Sequence, residues 1–276
     1  MSTRQHKRAN LYGSSLSAQR IASYQVMSPT AIKLSADIPT GGVCKGKTAS
    51  YVQPMDAEPY YVFAASWPSP NACGVSLSVY PNGTLKGLAD SWSYDRSSGI
   101  HGLAMGMEQG QSDKRQLLYS ADLNGDSIWT HAVDKTAGTV KKLGSLKMAK
   151  SGIHPRHLAA HPNGTYLYVV MEAENTLHQI RLDESSVAVK DNQTYSLIPA
   201  GMCCPLCRHW CSDTELFLLV LQVNNPPITG LQTSCFLHQG VTCGPHREVN
   251  AALDTTGTSH AFYYPLPMAV LSRKCL

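Results

Sequence analysis

Three side chains of complementary chemistry stand at comparable places in this chain. His101 lies in SSGIHGLAM, Arg156 in SGIHPRHLAAH and Glu172 in VVMEAEN. An arginine holds carboxylates through two parallel N–H donors. Histidine and glutamate exchange protons near neutral pH once burial and neighbours shift their affinities. Together they suit an acid–base reaction on an anionic substrate. Their settings repeat: Ser-Gly-Ile-His precedes a short apolar segment in both SSGIHG and SGIHPR, as though one structural element occurred twice. Glu172 interrupts the apolar run that follows Arg156. Asp122, in the matching YSADLNG stretch, suits a turn hydrogen bond, and His161 belongs to a His-Pro-Asn-Gly hairpin; both read as structural.

The elements that would bring these residues together are strands. Ile128, Thr130 and Ala132 alternate with Trp129, His131 and Val133, and Leu177, Gln179 and Arg181 alternate with His178, Ile180 and Leu182. Such short alternations between turn residues predict half-buried antiparallel strands. Four segments share one pattern, with tyrosines at Tyr12, Tyr61, Tyr119 and Tyr168, spaced 49, 58 and 49 residues apart. The long interval contains GMEQGQSDKRQ, read as a loop extension. A period of about 50 residues with several short strands per unit points to a β-propeller built of four-stranded blades. A sandwich with irregular hairpins is the competing architecture, and the period argues against it. In a propeller the innermost strands line a central channel, so equivalent positions of successive blades converge.

Composition bounds the rest. Of 276 residues, 43% are hydrophobic and 15% charged, enough apolar material for a sizeable core. The net charge of +4 comes with no long basic run, which excludes a nucleic-acid footprint. No stretch approaches the roughly 18 apolar residues of a membrane span, and the start lacks an apolar signal core, so a cytoplasmic protein is expected. The sequons at Asn82, Asn163 and Asn192 are then turn residues. There is no nucleophile elbow, phosphate-binding glycine loop or nicotinamide fingerprint, and residues 1–201 show no metal cluster.

Residues 8–201 resemble the fungal 3-carboxy-cis,cis-muconate cyclases, seven-bladed propellers related to lactonases. The resemblance is carried by LYGSS, SPTAI, SSGIHG, LYSADL with IWTHAV, HPRHLAAHPNGTYLYVVMEAEN, and SLIPAG. It implies a site containing His101, Arg156 and Glu172, with a further arginine from a later blade for which this chain offers no counterpart. It also implies an intramolecular cycloisomerisation: a carboxylate of an unsaturated tricarboxylic acid adds across its own double bond to give a γ-lactone. The implied partner is that small tricarboxylate, with a homo-oligomer allowed, and no redox or metal cofactor is needed. Arg156 would bind a substrate carboxylate, while His101 and Glu172 would share proton transfer and orientation. A lactonase-like hydrolase of the 6-phosphogluconolactonase type and a non-catalytic scaffold are the alternatives.

The expected organisation is all-β. Residues 1–201 form about four blades of a seven-bladed, lactonase-type propeller, and residues 202–276 form a Cys-rich tail of unknown structure. Only Cys44 and Cys73 precede the boundary; seven cysteines follow it. The tail can be read as a zinc module on Cys204, Cys207, Cys243 and His246, with Cys211, Cys235 and His238 as spare ligands. It can also be read as an interaction segment, or as frameshifted or intron-derived sequence, the reading favoured by its patternless charge. A propeller without closure exposes sheet edges, so the expectation is a poorly stable, inactive chain.

Overall fold

The alternating apolar residues form strands as the sequence pattern requires. The computed structural model describes residues 10–197 apart from 16–17, 29, 56–57, 68–69 and 108–115, together with two strands at 215–218 and 233–236. The chain divides into two compact units, Met1–Ile198 and Pro199–Leu276. In the second, strands β16 (Glu215–Leu218) and β17 (Thr233–Phe236) pair antiparallel. The cysteines and histidines considered as zinc ligands, and the alternative origins of the tail, concern side chains outside the described residues.

The first unit is four antiparallel sheets in chain order. Blade 1 holds β1 (Asn10–Ser14), β2 (Arg20–Ser28) and β3 (Ala31–Pro39). Blade 2 holds β4 (Ala49–Pro54), β5 (Tyr61–Ser66), β6 (Cys73–Val79) and β7 (Leu85–Ser93). Blade 3 holds β8 (Ile100–Met107), β9 (Gln116–Asp122), β10 (Ser127–Val133) and β11 (Val140–Lys147). Blade 4 holds β12 (Pro155–Ala160), β13 (Tyr166–Met171), β14 (Thr176–Leu182) and β15 (Ala188–Ser196). The stretch read as a loop extension overlaps the end of β8 and the start of β9, and its centre lies outside the described residues.

Each pair of successive sheets encloses its own apolar cluster. Ile21, Val75 and Leu77 fill the space between blades 1 and 2. Phe63, Ile100 and Leu118 fill that between blades 2 and 3, and Leu117, Tyr119, Leu167 and Met171 that between blades 3 and 4. Burying one sheet face against the next is what drives this stacking. Strand β8 packs on β4 and β12 on β8, so these three are the innermost strands. Blade 1 differs. Its β1 meets β4 as β5 meets β8 and β9 meets β12, so β1 corresponds to a second strand, and the described residues contain no innermost strand for this blade.

The tyrosine repeat has a structural basis and one correction. Tyr12 Oη donates to the Gly83 carbonyl at 2.7 Å, Tyr61 Oη to Thr136 at 2.7 Å and Tyr119 Oη to Ser186 at 2.8 Å. Each hydroxyl thus reaches the outer hairpin of the following blade. Strand register, however, places Phe63 opposite Ser76, as Tyr12 stands opposite Ser23, Tyr119 opposite Thr130 and Tyr168 opposite Gln179. Phe63, not Tyr61, is therefore the true counterpart, and Tyr61 delivers its hydroxyl from two residues earlier.

A further feature had no counterpart in the expectations: Cys44 and Cys73 form a disulfide. It ties the short 3₁₀ turn Gly42–Cys44 to the start of β6. Asn82 and Asn163 are turn residues, each accepting the backbone N–H two positions on, at Thr84 and Thr165. Among the described residues no helix is long and apolar enough to cross a membrane.

Candidate active site

A bulge in each innermost strand sets the site. Between Ile100 and Gly102 the register of β8 against β9 shifts by one, leaving His101 as the extra residue. The same irregularity falls after Ala49 in β4 and after Pro155 in β12. Such a bulge turns a side chain out of the ladder. Ser50 and His101 therefore occupy one structural position in consecutive blades, and Arg156 occupies it in the next.

That equivalence corrects the alignment of the two Ser-Gly-Ile-His motifs. His101 corresponds to Arg156, not to His154, because the second motif sits two residues earlier relative to its strand. Backbone bonds fix the register: Leu123 N donates to Gly99 O and Glu172 N to His154 O, both at 2.9 Å. The motifs are also pinned differently. Asp122, fully buried, accepts from Gly99 N, Gly125 N, Ser98 Oγ and Trp129 Nε1. Asp126 accepts from Gly152, Ile153 and His154 N–H. Asp122 is structural as expected, yet it aligns with Met171; the counterpart of Glu172 is Leu123. His161 is likewise structural, its Nδ1 meeting Asn163 Oδ1 at 2.6 Å within the hairpin.

The three expected site residues do come together. Arg156 Nε donates to His101 Nε2 at 3.4 Å, and Arg156 Nη1 forms an ion pair with Glu172 Oε1 at 3.6 Å. Their side chains are 11% and 12% exposed, so the pair is little screened by solvent. Arg156 thereby spans a neutral acceptor and a carboxylate. Because His101 Nε2 accepts, its proton resides on Nδ1. Burial pulls the His101 pKa down to about 3, with the Arg156 charge and His157 adding to the effect and a hydrogen bond to its own backbone partly offsetting it. His101 is thus a neutral imidazole at pH 7, with no imidazolium proton to give.

Residues that motif reading missed surround this group. Ser50 Oγ donates to the Ile100 carbonyl at 2.6 Å, tying blade 2 to the residue before His101. The next position along the bulge holds Tyr51, Gly102 and His157. A Cβ at Gly102 would lie 2.4 Å from the Arg156 carbonyl oxygen, so only glycine lets β8 approach β12 there. Across it, the Tyr51 and His157 rings stand 5.8 Å apart, and His157 lies 5.2 Å from His101. Trp67 meets His101 edge-on at 5.8 Å. Among the described residues no group of three or more His, Cys, Asp or Glu side chains is placed to hold a metal ion.

The neutral histidines give a pH prediction. His131, stacked among Trp92, Tyr94 and Trp129, has its pKa lowered to about 4, by burial first and the Lys142 charge less, partly offset by its bond to the Leu118 carbonyl. Both folded values lie below the unfolded one, so the unfolded chain binds protons first. Their stabilisation is complete above about pH 6.5 and is lost as pH falls through about 4 and then 3. Urea midpoints should fall steadily from pH 7 to pH 5, where most carboxylates still remain ionised; a flat profile would contradict buried neutral histidines.

Residues 4–205 fit the family described as lactonase, 7-bladed beta-propeller. The chain belongs to the lactonase family of seven-bladed β-propellers. Within that family it is 31% identical over 204 residues to the carboxy-cis,cis-muconate cyclase of Neurospora crassa, covering 71% of this chain and 53% of the relative. It is also 37% identical over 68 residues to the 6-phosphogluconolactonase of Pectobacterium atrosepticum, covering 23% of this chain and 20% of that one. The chain therefore spans about half the length of the cyclase it matches. The fold is shared with the periplasmic gluconolactonase of Pseudomonas aeruginosa, with TM-score 0.54, 18% identity and coverage of 71% and 57%. A Lactobacillus plantarum protein shares it too, with TM-score 0.54, 21% identity and coverage of 71% and 55%.

Proposed function

We propose that this chain carries the site of an intramolecular cycloisomerase acting on 3-carboxy-cis,cis-muconate, in the protocatechuate branch of aromatic catabolism. The observation that carries the proposal is Arg156, on the innermost strand β12, held between His101 on the adjoining innermost strand β8 and Glu172 just after β13, in a chain similar to a carboxymuconate cyclase. In the reaction one substrate carboxylate oxygen bonds to an alkene carbon. The π electrons move to the neighbouring carbon, which takes up a proton. Nothing is oxidised or reduced. Arg156 binds a substrate carboxylate and steadies the charge that develops as the bond forms. Glu172, beside the bound substrate, supplies the proton. His101, neutral, contributes an N–H donor and keeps the Arg156 guanidinium in place.

The test is direct. The full chain is mixed with 3-carboxy-cis,cis-muconate and loss of the diene's ultraviolet absorbance is followed, with and without a chelator. Chelator-insensitive lactone formation is the result expected of this site, and it would overturn the expectation that an unclosed chain is inactive. Hydrolysis of 6-phosphogluconolactone in place of cyclisation would favour the second reading, which the short match to a 6-phosphogluconolactonase supports. Inactivity on both with a cooperative melt would favour a scaffold. A cytoplasmic location is part of this reading; the Cys44–Cys73 disulfide argues the other way, since cytosolic thiols are kept reduced.

A further inference from the structure

The bulge residues of successive blades are joined to one another. Ser50, His101 and Arg156 hold one position in β4, β8 and β12, and each is bonded to the blade beside it. Ser50 Oγ donates to the Ile100 carbonyl at 2.6 Å, and His101 Nε2 accepts from Arg156 Nε at 3.4 Å. The Ser50 hydroxyl carries one proton and has a second acceptor in its own blade, the Ala65 carbonyl at 3.1 Å. The shorter distance is the one to Ile100, so the stronger hold is the one between blades.

That hold falls on the peptide unit that carries His101. A peptide unit is planar, so the oxygen of Ile100 and the nitrogen of His101 turn together. Fixing the oxygen thereby fixes the direction in which the His101 side chain leaves the strand. Ile100 is fully buried, so water does not take the place of a lost donor there. The ring has little freedom of its own. Trp67, four residues after Phe63 as Glu172 is after Tyr168, meets it edge-on at 5.8 Å, and His157 stands 5.2 Å away. Where the ring sits therefore follows from where the backbone places it. The margin towards Arg156 is small: at 3.4 Å that bond is already long, and a shift of a few tenths of an ångström would end it.

We propose that Ser50 is a positioning residue: by holding the Ile100–His101 peptide it keeps His101 Nε2 within reach of Arg156, and so sets the place of the guanidinium. Ser50 acts through His101 and not on the substrate. The proposal concerns the placement of His101 and Arg156; only its effect on turnover rests on the cycloisomerase reading.

Ser50→Ala in the full chain is the test, read at pH 7 by nitrogen NMR of the His101 ring, which His101→Asn assigns. The Nε2 resonance should move towards that of an imidazole nitrogen that accepts no hydrogen bond. Ser50→Thr keeps the hydroxyl and should return the resonance to its wild-type place. With carboxymuconate, kcat/KM of Ser50→Ala should fall about tenfold, mostly through KM, because Arg156 is less well held for the carboxylate it binds. An unmoved Nε2 resonance in folded Ser50→Ala overturns the proposal. So does a Ser50→Thr chain that matches Ser50→Ala, since the hydroxyl would then not be what matters. A wild-type chain that cyclises nothing sinks the functional reading instead, and the ring resonance still decides the role of Ser50. Should Ser50→Ala not fold, Ser50→Cys replaces it: the thiol is close in size and a weak donor, so the resonance should move in the same direction, and one that stays in place overturns the proposal.

Discussion

Arg156→Leu should lower turnover of the full chain by two to three decades, the loss typical when a charged group that steadies the transition state is removed. The same change should cost about 2 kcal/mol of stability, because Glu172 then loses the cation facing it in a poorly hydrated place. That figure lies below the usual range for breaking a buried pair, since the ion pair is 3.6 Å long and both side chains keep some exposure. His101 should respond as well. The Arg156 charge is the second cause of its low pKa, after burial. Without that charge the pKa should rise from about 3 yet stay below the ordinary value, which proton NMR of the ring can follow. Arg156→Lys separates the roles: it keeps the charge but lacks the planar fork that reaches His101 and Glu172 together. It should recover stability while leaving turnover low. The double variant Arg156→Leu with Glu172→Leu should be more stable than Arg156→Leu alone, since no carboxylate is left facing an apolar side chain. Wild-type turnover in Arg156→Leu would remove Arg156 from the site.

The parts of this structure that the sequence made legible are those with a period. Alternation in SIWTHAV and TLHQIRL became β10 and β14, and the repeat of about fifty residues became successive sheets. His101, Arg156 and Glu172 were recognisable because Ser-Gly-Ile-His recurs and because a carboxylate breaks an apolar run. Register was not legible. Tyr61 matches its fellows by type and by the hydroxyl it sends to the next blade, while strand pairing assigns the position to Phe63. That two-residue slip hid Trp67, which falls four residues after Phe63 but six after Tyr61. The two Ser-Gly-Ile-His motifs misled similarly, since they are alike in sequence but held by Asp122 in one blade and Asp126 in the other. A bulge adds one unpaired residue, and no local pattern announces it. The Cys44–Cys73 pairing was equally silent, because cysteine types carry no connectivity.

Glu172→Gln should reduce turnover by roughly two to four decades, the range typical of general acid–base groups. Glutamine keeps the shape of the side chain and an acceptor oxygen for Arg156, but it cannot give up or take up the proton that the reaction moves. A neutral His101, its pKa pulled down to about 3, is poorly suited to replace it: protonating that ring at pH 7 is far too costly. The two parameters should therefore separate. If Glu172 transfers the proton, kcat falls and KM changes little, because Arg156 and the carboxylate it binds are undisturbed. If Glu172 only positions Arg156, KM should rise at least as much as kcat falls, and Glu172→Gln should resemble Arg156→Lys. The pH profile decides between these: a proton-transferring Glu172 contributes a limb to the kcat profile of the wild-type chain that disappears in the variant. The limb should persist in a His101→Asn variant, whose residual turnover reports on the same carboxyl. A Glu172→Gln chain within about threefold of wild-type kcat, with an unchanged pH profile, would leave the proton without a donor among the residues proposed here.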